Sequence, residues 1–427
     1  MLRGGSPAAA AGPAAAAAPG PPAASLRQSG DSIDIWAAVS TLRRCGHIDV
    51  PDIPARAFDD GRGLTHMIVG STTFYPMNGG NVLMNGSATR SCTAAWNQTG
   101  DPDPARLAGD EFLDSPIAFE NGTVVALVHT EYPGGVYNST GPSAPMCPPG
   151  LAGYPTCWTV SIGLAISHDF GATWAHALPP PRHLVAAVPY PYNATQLAFG
   201  WGDPSNIIKH PTDGHYYVAI WNRNQVGLQP PGICMMRTAT LLDPASWRAW
   251  NGSAYTVRFV SPYEVEPGRE GEHICAVTNL PAGSCVPIAG KPRGCQAAGL
   301  SWSTYLQTFV AVLGCGETFR WATSDDLIVW SELKDLDIRA GLSPNVSKMV
   351  RAINYPTFLD PASPRDFGDR NYGTIGRTPY LFWASIGHSP YTDGRHQWAT
   401  PFTFDRGRAR GVNPGGRRAD GESVENA

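Results

Sequence analysis

Residues 202–221, GDPSNIIKHPTDGHYYVAIW, place an acid, a short extended segment, a turn and an apolar strand in one unit. Asp203 and Pro204 open it, Asp213 and Gly214 tolerate the positive φ of a tight turn, and residues 216–221 are strongly β-prone. The unit is a β-hairpin with an acid at its entrance, and it recurs. Asp52 leads a hairpin that turns at Asp60-Gly61, and Asp114 leads one that turns at Asn121-Gly122. Weaker copies run over residues 300–313, which lack both acid and turn glycine, and over 354–360, answered by 379–385. That makes about five units at irregular spacing, the mark of a radial repeat.

A second device follows several hairpins. Residues 167–174, SHDFGATW, place Asp169 and Trp174 around a polar turn; residues 322–330, with Ser324, Asp326 and Trp330, are a looser form, and residues 237–247, with Asp243 and Trp247, looser again. Asp and Ser/Thr side chains satisfy turn amides while the Trp packs back between strands. Asp169 therefore reads as a structural residue of an Asp box.

Gly and Pro, 47 and 40 of 427 residues, favour many turns over long helices, so an all-β class is expected. Four scattered lysines and a net charge of −4 give no basic face for nucleic acid. No apolar run reaches the ~20 residues of a membrane span. Residues 1–31, rich in Ala, Pro and Gly, read as a disordered leader whose alanines are too interrupted for a signal peptide; residues 406–427 read as a disordered polar tail, leaving 32–405 as one folded domain. The body nevertheless has a secretory character. N-x-S/T acceptors stand at Asn85, Asn97, Asn121, Asn138, Asn193, Asn251 and Asn345, and nine cysteines include Cys147 and Cys157 around a Pro/Gly loop and a close set at Cys275, Cys285 and Cys295. Some of these cysteines are alternatively plain buried residues. No C-x-x-C or H-x-x-x-H pattern supports a metal, so none is expected from local spacing.

Two stacked hairpins make a four-stranded sheet, and such sheets set radially make a β-propeller. The expected fold is a five-bladed β-propeller of four-stranded antiparallel blades. Its innermost strands would bring Asp52, Asp114 and Asp203 to the axis, where crowded carboxylates shift their pKa values apart and can act as acid and base or hold a cation. Aromatic and polar side chains would complete a sugar site: Trp201, Trp302, Asn206, Arg56 and His129, with Glu131 on the same side as His129. Core packing is the alternative for each Trp, neutralisation of Asp52 the alternative for Arg56, and a half-buried structural imidazole the alternative for His129.

The Asp52-Ile53-Pro54 and Gly202-Asp203-Pro204 segments resemble those of the five-bladed propeller glycoside hydrolases, and the Asp box is similar to that of sialidases. The first resemblance spans residues 48–390 as a pattern and implies Asp52 as general base, Asp203 as the group that tunes or orients, and a general-acid Glu opening the fourth blade. No acid stands there. The nearest candidates are Glu264, Glu266 and Glu272, the last beside His273; Glu272 is taken for the role, with Asp114 able to serve instead. The second resemblance implies an arginine triad, for which Arg56, Arg237 and Arg320 are candidates. The expected function is a secreted glycosidase acting on a polysaccharide or glycan. The alternatives are a non-catalytic, lectin-like propeller whose axial acids bind sugar hydroxyls or a structural Ca²⁺, and a sialidase-like enzyme.

Overall fold

The computed structural model of the chain describes residues 24–35, 51–70, 73–74, 77–79, 89–137, 147–148, 156–281, 295–316, 318–338, 342, 350, 352–364, 370–386 and 395–406. These residues are nearly all β, in antiparallel meanders that follow the hairpin repeat. The first sheet runs Arg56–Asp59, Thr65–Ile68, Met77–Gly79, Thr89–Arg90. The second runs Asp110–Ala118, Val124–Pro133, Trp158–Ser167, with Ala175–His176 and Leu184–Ala186 on its outer edge. The third pairs Phe199–Gly202 and Ile208–Lys209 with Tyr216–Asn222, then continues to Gly232–Thr238, Arg248–Trp250 and Tyr255–Val257. The fourth runs Gln296–Ser303, Thr308–Cys315, Thr318–Ser324, Lys334–Leu336, and the fifth Ala352–Leu359, Tyr380–Ile386, Arg395–Arg406. A short parallel pairing, Thr159 to Phe199 and Val160 to Gly200, links the second sheet to the third.

Successive side chains on a strand point to opposite faces, so a strand covered on both sides divides its apolar residues between two neighbours. The second strand of each sheet does this. Val125 and Leu127 pack toward the third sheet while Val124, Ala126 and Val128 pack toward the first. Val218 and Ile220 face the second sheet, and Tyr217, Ala219 and Trp221 face the fourth. Val310 and Val312 meet the fifth sheet, and Phe309, Ala311 and Leu313 meet the third. Phe382 of the fifth sheet then packs with Met67 and Val69 of the first. Each sheet is thus packed against the next, and the last against the first.

Against the expectation of a disordered leader over residues 1–31, Ala24–Gln28 is a strand that pairs with the end of Arg395–Arg406, from Ala24 opposite Arg406 to Gln28 opposite Phe402. Composition hid it: ASLRQ alternates, with Ala24 buried and Leu26 half-buried against the apolar face of the fifth sheet. Residues 1–23 and 407–427 lie outside the described residues.

Three disulfides are present among the described residues: Cys147–Cys157, Cys234–Cys275 and Cys295–Cys315. The acceptor asparagines Asn97, Asn121, Asn193 and Asn251 are all exposed; Asn85, Asn138, Asn345 and Cys285 lie outside the described residues. No described helix is long and apolar enough to cross a membrane.

The polar turn at residues 167–174 is built around one carboxylate. Asp169 accepts from the Ser167 hydroxyl (2.7 Å) and from the Thr173 amide and hydroxyl (2.8 and 2.6 Å), and Trp174 Nε1 donates to Gly171 O at 3.0 Å. The second turn repeats it: Asp326 accepts from Ser324 and Val329, and Trp330 Nε1 donates to Leu327 O at 3.1 Å. Phe170 and Leu327 hold the same positive φ, 64° and 66°. The third turn departs, since Asp243 only caps a short 3-10 turn. These hydrogen bonds hold the Asp169 carboxyl below its ordinary value against a partial burial that acts upward. Asp169→Ala should therefore cost roughly 1–3 kcal/mol and lower Tm in a thermal melt, without altering activity per folded molecule; unchanged melting with lost activity would make Asp169 a site residue.

Candidate functional site

Three inner strands share a local irregularity that the sequence repeat encodes. Ser115, Asp203 and Tyr355 each adopt positive φ (46°, 45° and 59°) immediately before Pro116, Pro204 and Pro356. Proline already restricts its predecessor, and a non-glycine residue at positive φ adds strain, so the surrounding structure must hold these residues in place. The ladder slips a register beside Ser115 and beside Tyr355. Each slip interrupts the ladder, which resumes on its far side, and lets the polar side chains beside it reach other sheets.

Arg56 collects all three of those segments. Its Nε donates to Asp114 Oδ1 (2.8 Å), Nη1 to Asn206 Oδ1 (2.9 Å) and Thr357 Oγ1 (3.1 Å), and Nη2 to Pro204 O (2.7 Å). Thr357 closes the set by donating to Asn206 at 2.8 Å, and Ser115 Oγ reaches Ser205 O at 2.7 Å. Arg56, Asp114, Asn206 and Thr357 are all buried. Burial pushes the Asp114 carboxyl up and the Arg56 guanidinium down, and each charge is the main compensation of the other. Arg56 thus neutralises Asp114 and not Asp52, as the spacing along its own strand suggested.

A second, less enclosed group lies beside it. His129 and Glu131, two residues apart on Val124–Pro133, share a face, and His129 Nε2 sits 3.1 Å from Glu131 Oε1. The Asp203 amide donates to His129 Nδ1 at 3.1 Å. A Cβ on Gly202 would lie 2.7 Å from the imidazole, so only glycine lets the ring seat there. Arg223 Nη2 stands 3.9 Å from Glu131 and 3.8 Å from Asp203. Asp52 is held by Arg395 and by the Tyr355 hydroxyl at 3.1 Å. Its side chain keeps 32% of its exposure, against 17% for Glu131 and 8% for Asp203.

The two more exposed carboxyls are tuned in opposite directions. Burial raises Asp52, with the Glu131 charge adding to it and Arg395 opposing. Burial would raise Glu131 too, but the His129 hydrogen bond and the charges of His129 and Arg223 outweigh it and bring Glu131 below its ordinary value. For His129, burial opposes protonation while Glu131 and Asp203 favour it, and the net direction is upward. The amide proton at Nδ1 nevertheless fits the neutral tautomer that donates from Nε2 to Glu131.

Of the residues singled out from sequence, Asp52, Asp114, Asp203, Arg56, Asn206 and His129 are brought together; four are not. Glu272 lies on the surface with its carboxylate on Arg269 (2.7 and 2.8 Å), an i,i+3 pairing within one short turn, and His273 binds Arg258 O. Trp201 is fully buried and packs beside Phe259, which corrects its assignment to a sugar platform. Trp302 stacks edge-on against Phe309. The arginine triad also fails: Arg237 is bound to Tyr217 and Arg320 to Asp335, each in its own sheet. Sequence reasoning missed Arg223, Tyr355, Thr357 and Arg395. Only Tyr355 left a signal, because Tyr355-Pro356 repeats the dipeptide geometry of Asp203-Pro204.

No family model matches the chain, and no curated protein matches it. Solved structures with partial likeness include an α-L-arabinofuranosidase from Lactobacillus brevis (TM-score 0.42, 10% identity, 84% of this chain and 93% of that one). An N-acetylgalactosamine deacetylase from F. plautii, in complex with blood group B trisaccharide, gives a TM-score of 0.44 at 12% identity over 89% of this chain and 95% of that one. A GH62 hydrolase in complex with xylotriose gives 0.41 at 9% identity over 83% and 92%. Scores below 0.5 do not establish kinship, and the site is read from its own geometry.

Arg56→Met would leave Asp114 buried without its counter-ion, so stability should fall by about 3–5 kcal/mol in urea unfolding. Pairing it with Asp114→Asn should recover part of that loss. Equal losses in the single and double variants would mean that the ion pair does not organise the site.

Proposed function

We propose that the five consecutive sheets form a five-bladed β-propeller and that the polar group on its inner strands hydrolyses a glycosidic bond of a polysaccharide or glycan. The observation that carries this reading is the gathering of the partly exposed Asp52 and Glu131 with Asp203 beside Arg395, His129 and Arg223, where burial raises Asp52 while His129 and Arg223 bring Glu131 below its ordinary value. Such a pair divides proton transfer from charge stabilisation. In this reading the Asp52 carboxylate takes a proton from water as the water oxygen bonds to the anomeric carbon, and passes it to the glycosidic oxygen as the C–O bond breaks, a relay that a raised carboxyl serves more effectively near neutral pH. Glu131 faces the positive charge that develops on the sugar, His129 and Arg223 fix Glu131 and Asp203, and Arg56 with Asp114 forms the floor. Three disulfides and exposed acceptor asparagines support an oxidising, secretory setting for the proposed activity.

The second reading is a carbohydrate-binding propeller without turnover. It is favoured by one observation: Asp52, Asp114, Glu131 and Asp203 each already lie near a cationic side chain.

A panel of aryl glycosides and polysaccharides, with and without chelator, separates the two. On a substrate that is turned over, Asp52→Asn should lower kcat at least ~10²-fold with folding and KM nearly intact. Undiminished turnover in a folded variant would remove Asp52 from the mechanism. Saturable sugar binding with no turnover by the parent would select the second reading.

The pH profile is a separate check. If Asp52 must lose its proton to act, the rate should rise through a pKa above the ordinary 3.8. Removing the cation in Arg395→Met disfavours the carboxylate and should move that rising limb to higher pH. A limb that stays put, or moves down, would show that Asp52 is not the titrating group.

A further inference from the structure

Away from that site, three side chains that no local motif connects come together on the second sheet. Glu111 lies on Asp110–Ala118, His176 on the outer edge strand, and His183 just before Leu184–Ala186. Each offers a ligand atom within 4.8 Å of the other two. We propose that Glu111, His176 and His183 form a binding site for one divalent transition-metal ion of zinc type.

The donor set suits such an ion: two imidazole nitrogens and a carboxylate oxygen leave a fourth tetrahedral position for water. Ligand atoms around a tetrahedral ion at ~2.0–2.2 Å stand closer together than 4.8 Å, so closure asks for small rotations of side chains that already converge. His176 Nε2 and Glu111 Oε1 are 2.6 Å apart, and a bound ion would replace that contact.

Two of the three ligands, Glu111 and His183, also have an outer partner of the sort that holds metal ligands in place. Glu111 Oε2 accepts the Thr99 amide at 2.8 Å, leaving Oε1 for the site. His183 Nε2 sits 3.2 Å from the Leu107 carbonyl, to which it donates. That fixes the tautomer and leaves Nδ1 with a lone pair, and Nδ1 is buried without a hydrogen-bond partner. A buried polar atom left unpaired in this way points to a missing ligand. The edge of Trp96 covers His176, with ring centroids 5.2 Å apart, while 13% side-chain exposure leaves a way in. The cluster also explains Gly163, where a Cβ would lie 2.4 Å from His183 Cδ2. Such an ion would tie the outer strands of the second sheet to its innermost one.

The test uses the intact chain, stripped with chelator and titrated with Co²⁺. One equivalent should bind with the intense visible bands of a tetrahedral site, Zn²⁺ should displace it, and Zn²⁺ should raise Tm. His176→Gln changes the most accessible ligand and is the variant expected to fold. It should bind at least tenfold more weakly and lose the bands. Asp52→Asn should bind as the parent does. Absence of a tetrahedral Co²⁺ spectrum in the folded parent overturns the proposal, as does a spectrum and affinity unchanged in His176→Gln.

Discussion

The Arg56 guanidinium is the point through which the sheets agree on a common geometry. Five N–H donors in a rigid plane meet a carboxylate, an amide oxygen, a hydroxyl and a main-chain carbonyl that belong to other sheets. Lysine, with one compact ammonium on a flexible stem, could not reach all four at once. The cost of burying charge here is offset by completeness, since an unpartnered buried ion is far more expensive than a fully bonded one. Apolar packing between sheets fixes how they stack, but it is non-directional and leaves rotation about the stack free. The arginine supplies the direction.

Around that point the backbone is held in unfavourable conformations at Ser115, Asp203 and Tyr355. Each precedes a proline, and each sits where the strand leaves its neighbour and side chains turn inward. The strain and the polar cluster coincide, as they do in sites whose groups must be held against their relaxed positions. His129 shows the same coupling at the level of one ring: it reads the position of Asp203 through that residue's amide and passes it to Glu131 through the opposite nitrogen. A shift of the third sheet would thus alter the carboxylate carried by the second.

What was legible in the sequence was what is local. Turn chemistry at Gly61, Gly122 and Gly214, a β-prone return strand and an acid at the entrance lie within about one hairpin, and they led to the strands, their order and the gathering of Asp52, Asp114 and Asp203. The polar turns around Asp169 and Asp326 were legible for the same reason. Arg223 and Arg395 were not, because each reaches the site from a place that no spacing marks. Glu272 misled in the opposite way: acids beside a histidine look like a site on paper, but Arg269 in the same turn takes the carboxylate first. The pair His176 and Glu111 lies 65 residues apart in sequence and meets only because the second sheet returns on itself. The leader was misjudged because an average over alanine, proline and glycine conceals five alternating residues at its end.

That short strand carries a consequence for how the molecule comes into being. Ala24–Gln28 finds its partner in the last strand, and Arg27 pairs with Asp405 across 378 residues. This strand is made well before its partner and must therefore wait, as an unpaired edge, while the intervening sheets are made. Until then the fifth sheet has an open side of the sort other chains can add to. The two ends behave as a clasp, and closing so long a loop is slow because its contacts come only after its entropy has been lost. Once shut, the clasp makes its two strands mutually dependent, so that loosening of either is felt at both.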